Sequence, residues 1–433
     1  MTAKKRQMHL AVFWLGTGNH AAGWRMEGAA DSNCSWPILE AGAGIAERGK
    51  FDLFFISDSA GSGPNDHPSF QTRLEPITAV SALSLATRNI GLGATVSTSF
   101  SEPFTVARTF QSLQHLSRGR IAWNVVTSSS DTAARNFSMQ RHYEHDQRYE
   151  IAGEFLDVVR GLWNTWDEGA ILKCKETGAY IDPTKVRTLD HEGRYFQVRG
   201  PLNVERPVHG HPLIIQAGGS EPGQELSARA ADIVFSVVNG DTAAAKTAYD
   251  SLKARLPKHG RTAGDMVILP GVMPIIGRTD AEAKAQLDRL QGWLTPTNAL
   301  ALVSHRIGHD ISGYPLDGPV PELPQTNNSL SFARALLELA RRERMTLRDL
   351  YNITAAARGH WVIYGSPKRI ADTLEEWFVT GLADGFMILP AYFPGAFDDF
   401  VDLVVPELQR RGLFRTEYDG STLREHLRQA TSG

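Results

Sequence analysis

A chain of 433 residues is longer than one ordinary domain requires, yet a single parallel barrel reaches this length by carrying insertions. Lys and Arg number 45 against 48 Asp and Glu, a formal charge of -3, and no basic block is long enough to neutralise a row of phosphates, so nucleic acid is excluded as an expected partner. Two cysteines, Cys34 and Cys174, exclude a disulfide scaffold and a thiolate metal site and fit a reducing cytoplasm, while a polar start followed by only a short apolar run predicts neither signal peptide nor membrane span.

In chain order, short apolar runs alternate with longer amphipathic stretches. Strands are predicted at 10–15, 53–57, 90–96, 121–126, 213–216, 233–237, 267–276 and 386–389, and helical spacing at 36–48, 78–87, 105–116, 148–166 and 241–256. Eight strands, most followed by a helix, predict an α/β fold: a TIM (β/α)8 barrel with insertions at its C-terminal mouth, in one domain spanning 1–433. A doubly wound sheet usually carries a G-x-G-x-x-G turn after its first strand, and none is present. The alternation breaks near 167–201 and 292–328, two polar, turn-rich segments expected to lie over the mouth as pocket walls or a lid. Residues 397–433 form an expected helical tail, whose last part, from 415 on, should pack on the surface or on a neighbouring subunit.

The predicted strands end in polar residues. The first is followed by Asn19, His20, Trp24 and Arg25, the second by Asp58, the third by Ser97 and Thr98. The fourth delivers Asn124, Thr127, Ser128 and Ser129, and the fifth Gln216, Gly218, Gly219 and Ser220. In a parallel barrel these gather at one rim, a neutral, hydrogen-bonding cup with one carboxylate. Each has a plainer role: strand-end Ser and Thr cap the next helix, and Asp58 can cap or pair. Gly218-Gly219-Ser220 is either a turn and cap or a phosphate seat made of free N–H groups at a helix start. His20, His305, His309 and His360 gain interest only by sharing that mouth. No H-E-x-x-H, paired-cysteine motif or G-x-S-x-G elbow occurs, so neither a zinc hydrolase nor a serine acyl transferase is supported, and no metal is expected.

Several runs carry a resemblance: Arg120 to Ser128, Ala134-Arg-Asn136-Phe, His145-Asp146-Gln-Arg148-Tyr149, Gln216-Ala217-Gly218-Gly-Ser220, Gly18-Asn-His20-Ala-Ala-Gly-Trp24-Arg25 and Arg411-Gly-Leu-Phe-Arg-Thr-Glu417-Tyr418. In order along nearly the whole chain, they resemble the bacterial luciferase-like flavin monooxygenases, in the branch of the nitrilotriacetate, dibenzothiophene sulfone and long-chain alkane enzymes. Gln114 and Ser138 depart from that pattern, where Asp and Gly are usual.

The resemblance implies a two-component enzyme using FMN, delivered as FMNH2 by a separate NAD(P)H:flavin reductase. The reduced flavin reacts with O2 at its C4a carbon, and one oxygen enters a small organic, sulfur-containing or xenobiotic substrate. It further implies that Asp58 and Asn124 border the flavin ring with Ser97, Thr127, Ser128 and Ser129 beside it. Tyr149, Ser220 and the N–H of Gly218 would take the phosphate. His305 and His20 would be acid/base groups, suited by an imidazole pKa near working pH. Phe13, Trp24 and Trp361 are expected pocket walls, and a homodimer or homotetramer is expected. A deazaflavin-dependent dehydrogenase and a catalytically silent flavin-binding protein are the other readings.

Overall fold

Each predicted strand is a nearly unbroken apolar run, the pattern of a parallel strand covered on both faces. The computed structural model describes residues 6–61, 67–322 and 330–428, apart from the side chains of 305, 306 and 330–335. Its main sheet comprises β1 (His9–Trp14), β2 (Leu53–Ile56), β3 (Gly91–Ser97), β4 (Ile121–Val126), β5 (Leu213–Gln216), β6 (Ile233–Ser236), β7 (Val267–Ile276), β8 (Trp361–Gly365) and β9 (Gly385–Ile388). All pairings in it are parallel. β1 to β7 follow one another, β9 bridges β7 and β1, and the eight close into a barrel.

Alternation along each strand divides two cores. Leu10, Val12 and Trp14 of β1 point to the surrounding helices, with Phe54, Ile56, Phe386 and Ile388. Ala11, Phe13, Leu53, Phe55 and Met387 fill the barrel interior. Burying such side chains on both faces contributes about 1.5–3 kcal/mol each for the large ones.

β8 lies outside the predicted set. It pairs with the second half of β7, Trp361 opposite Val272 through Gly365 opposite Ile276, after the first half has paired with β6. Between β7 and β8 the chain makes a helical excursion, Pro296–Ile307, Leu330–Arg342 and Leu347–Ala357, with its own core around Leu302, Val303, Leu336 and Leu350. The excursion therefore continues well beyond 328, and residues 323–328 lie outside the described residues.

Two expectations are corrected. Segment 167–201 is not over the mouth: its short ladder, His191–Glu192 with Gln197–Val198, lies on the outer flank of helix His145–Trp163. There Glu154 accepts hydrogen bonds from the N–H groups of Tyr195 and Phe196. The tail does not rest on the surface either, because Leu423 and Leu427 enter the interior core and floor the barrel. Above them Arg415 Nη2 lies 2.5 Å from Asp52 Oδ1, whose other oxygen accepts from Leu10 N–H at 2.8 Å. Burial pushes Asp52 up, but Arg415 and His9 more than offset it and its pKa is lowered. Residues 429–433 lie outside the described residues. No helix among the described residues is long and apolar enough to cross a membrane.

Candidate active site

Because the barrel strands are parallel, their polar C-terminal ends meet at one rim. β4 and β5 are neighbours, Asn124 opposite Ile215, so the turns after them face each other. Ser128 adopts φ 51°, a left-handed conformation that costs a non-glycine residue energy. Its Oγ donates to Ser97 Oγ at 2.8 Å, and its carbonyl accepts from Arg148 Nη1 at 2.8 Å. Arg148 is 2% exposed, a guanidinium enclosed at the first turn of its helix. Across the gap Ser220 caps helix Glu221–Ala230, its Oγ accepting from Gly223 N–H at 3.3 Å.

Thr127, Ser128, Ser129, Arg148, Tyr149 and Ser220 enclose about 190 Å³ with the Gly218-Gly219 turn. Hydroxyls, a phenol, a buried guanidinium and the N-terminus of a ten-residue helix suit a phosphate. The expected donor role of Gly218 is corrected, because its N–H is already given to Gln216 Oε1. The role of Gly218 is steric: a Cβ there would stand 2.9 Å from both Gly223 Cα and the Tyr149 hydroxyl.

The turn 217–219 also borders an inner cavity of about 410 Å³ reaching Phe13, Phe235, Arg358 and His360. Phe13 and Phe235 lie 5.4 Å apart, and the Arg358 guanidinium sits 4.2 Å over Phe13 and donates to Asn19 Oδ1 at 3.1 Å. His360 stacks on Phe235 at 4.8 Å; a Cβ on Gly271 would come within 2.4 Å of its ring.

Among the described residues, Asn124 Oδ1, whose amide nitrogen donates to Thr95 Oγ1 at 2.9 Å, and His20 Nε2 are buried at the rim without a hydrogen-bond partner. Such atoms cost free energy unless a ligand satisfies them. His20 Nδ1 accepts from Ala22 N–H at 3.1 Å, which assigns the ring hydrogen to Nε2. Burial pushes the His20 pKa down to about 3. The expectation of an imidazole poised near neutrality is thus corrected: His20 is a neutral Nε2–H donor. Asp58, half-buried after β2, has its pKa raised by burial, with Arg73 opposing.

Beside this rim lies an outer cleft of about 380 Å³ between the loop after β1 and the helical excursion, walled by Trp24 and Trp293. Trp24 is therefore on a cavity wall, as is Phe13. Trp361 is not: it belongs with the outer core and stacks on Trp377 at 4.4 Å, because β8 lies outside the ring. His305 falls on helix Pro296–Ile307, and its side chain lies outside the described residues. Arg148 and Arg358 were missed as site residues, although an Arg-Tyr pair opening a helix after the Ser-rich turn was a readable signal for the first.

The chain matches a family model described as luciferase-like monooxygenase over residues 20–384. It is 45% identical to N-acetyl-S-(2-succino)cysteine monooxygenase of Bacillus subtilis (strain 168), covering 99% of this chain and 98% of the relative. It is 43% identical to nitrilotriacetate monooxygenase component A of Aminobacter aminovorans, covering 98% and 96%. Among solved structures, EDTA monooxygenase from Chelativorans sp. BNC1 superposes with a TM-score of 0.83 at 34% identity, covering 98% of each chain.

Proposed function

Since the chain belongs to the luciferase-like monooxygenase family, we propose that it is the oxygenase of a two-component system that takes FMNH2 from a separate NAD(P)H:flavin reductase and inserts one oxygen atom of O2 into a small organic substrate. The observation that carries this reading is the rim itself. A seat suited to phosphate adjoins an aromatic-floored cavity, and Asn124 Oδ1 and His20 Nε2 stand buried at the same rim without a partner among the described residues. These residues fit a phosphorylated, planar, polar-edged group. Arg148, Tyr149, Ser128, Ser129 and Ser220 would hold the phosphate, and Asp58, Ser97, Asn124 and Thr127 would border the ring. Reduced flavin, when bound, supplies the electrons that activate O2.

The chain's own residues then have three tasks. The seat binds and orients, the helical excursion excludes water, and His20, as a neutral donor, offers a hydrogen bond from Nε2 to an oxygen or carbonyl beside it. His305 is the proposed acid/base group. We place the protein in the cytoplasm as a homodimer or homotetramer.

The substrates in the names of the three relatives given above share a chemistry. N-acetyl-S-(2-succino)cysteine is a thioether, nitrilotriacetate and EDTA are amines, and in each a carboxylate-bearing carbon adjoins the sulfur or nitrogen. This supports a heteroatom-containing organic acid as substrate here. With FMN, reductase, NADH and O2, the protein should show O2 uptake that depends on such an acid and yield an oxygenated product. Product formation by reductase and flavin alone, or substrate oxidation without O2, would refute the reading.

A further inference from the structure

The outer cleft carries a cation that the flavin seat does not use. Arg25 follows Trp24 in the loop after β1; its Nη1 donates to the Trp293 carbonyl at 3.0 Å and its guanidinium lies 5.0 Å over the Trp293 ring. That contact ties the loop to the end of helix Asp280–Gly292, and it consumes one of five N–H groups. Four other exposed arginines, Arg48, Arg187, Arg348 and Arg369, are each held by a carboxylate and so are not open to a ligand in this way. Among the described residues Arg25 has no such partner, and no Asp or Glu lines the cleft it faces. The remaining lining is apolar or polar, two tryptophans with His67, Thr295 and Asn298 among small and aliphatic residues. The cleft begins at Ala21 and Ala22, directly after His20.

Resting on the oxygenase reading above, we propose that this cleft is the organic substrate's site and that Arg25 selects for a carboxylate. A guanidinium held at one end by a ring and a carbonyl is pre-organised, so its free edge offers two parallel N–H groups to a carboxylate with little ordering left to do. Trp24 and Trp293 take the apolar part, and the volume suits a small acid.

The test compares N-acetyl-S-(2-succino)cysteine and nitrilotriacetate with their methyl esters, on wild-type protein, Arg25→Met and Arg25→Lys. Two readouts are used: calorimetric binding of each compound without turnover, and KM and kcat with FMN, reductase and NADH. Wild type should bind at least one acid and prefer it to its ester. Arg25→Met should raise KM and Kd for the acid about tenfold or more, with kcat and the ester's constants little changed, and Arg25→Lys should recover part of the loss. Equal loss for acid and ester would assign Arg25 to bracing Trp293 alone and overturn the proposal, as would no loss at all or wild-type binding of neither acid. Retention of FMN is scored separately, so a chain that binds the acid but no flavin refutes the oxygenase and not the cleft.

Discussion

At the residue scale, the site depends on what burial does to individual polar groups. His20 Nδ1 is occupied by a backbone N–H and its pKa is pushed to about 3, against an unfolded value of about 6.5. The sign follows from linkage: the unfolded chain takes up this proton first, so the stability linked to neutral His20 is intact above pH 6.5 and is lost as pH falls toward 3. Between pH 7 and pH 5 that loss amounts to roughly 2 kcal/mol. Denaturant titrations should show a shallower acid loss for His20→Asn than for wild type over this interval; superimposable slopes would mean that His20 is not held neutral. Which single residues mattered was only partly legible. Tyr149 and Ser220, at a predicted helix start and strand end, line one cavity, whereas for Arg148 the sequence offers only its place beside Tyr149 at the helix start, since enclosure by other segments is what makes a guanidinium special.

At the element scale, the barrel was readable because its strands are buried on both faces and so carry unbroken apolar runs, Leu53–Ile56 being the plainest. β8 was not, because three of its five residues are only half-buried and the helix before it belongs to an excursion rather than to the β/α alternation. That difference moved Trp361 from a pocket wall to the outer core. The turn from β5 into helix Glu221–Ala230 brings strand and helix into backbone contact at Gly218 and Gly223. Gly218→Ala should therefore force these elements apart, costing about 1–3 kcal/mol in denaturation and weakening FMN binding in the same protein. A variant with unchanged stability and unchanged flavin affinity would show that the contact is not required.

At the scale of the whole molecule, the two ends of the barrel divide the work. The floor is packed by Leu423 and Leu427 and locked by buried Arg415 and Asp52. The rim collects the polar ends of the strands and is roofed by a helical excursion with a core of its own, which separates the chemistry from the stability of the barrel. The proposed function requires that this rim grip a flavin through its phosphate. The most direct measurement is the affinity of wild type and of Arg148→Met for FMN and for riboflavin, which lacks the phosphate. Wild type should prefer FMN by about tenfold or more, the worth of a charge-assisted contact to a buried guanidinium, and the preference should collapse in Arg148→Met while riboflavin binding is unchanged. Equal affinity of wild-type protein for FMN and riboflavin would contradict the account.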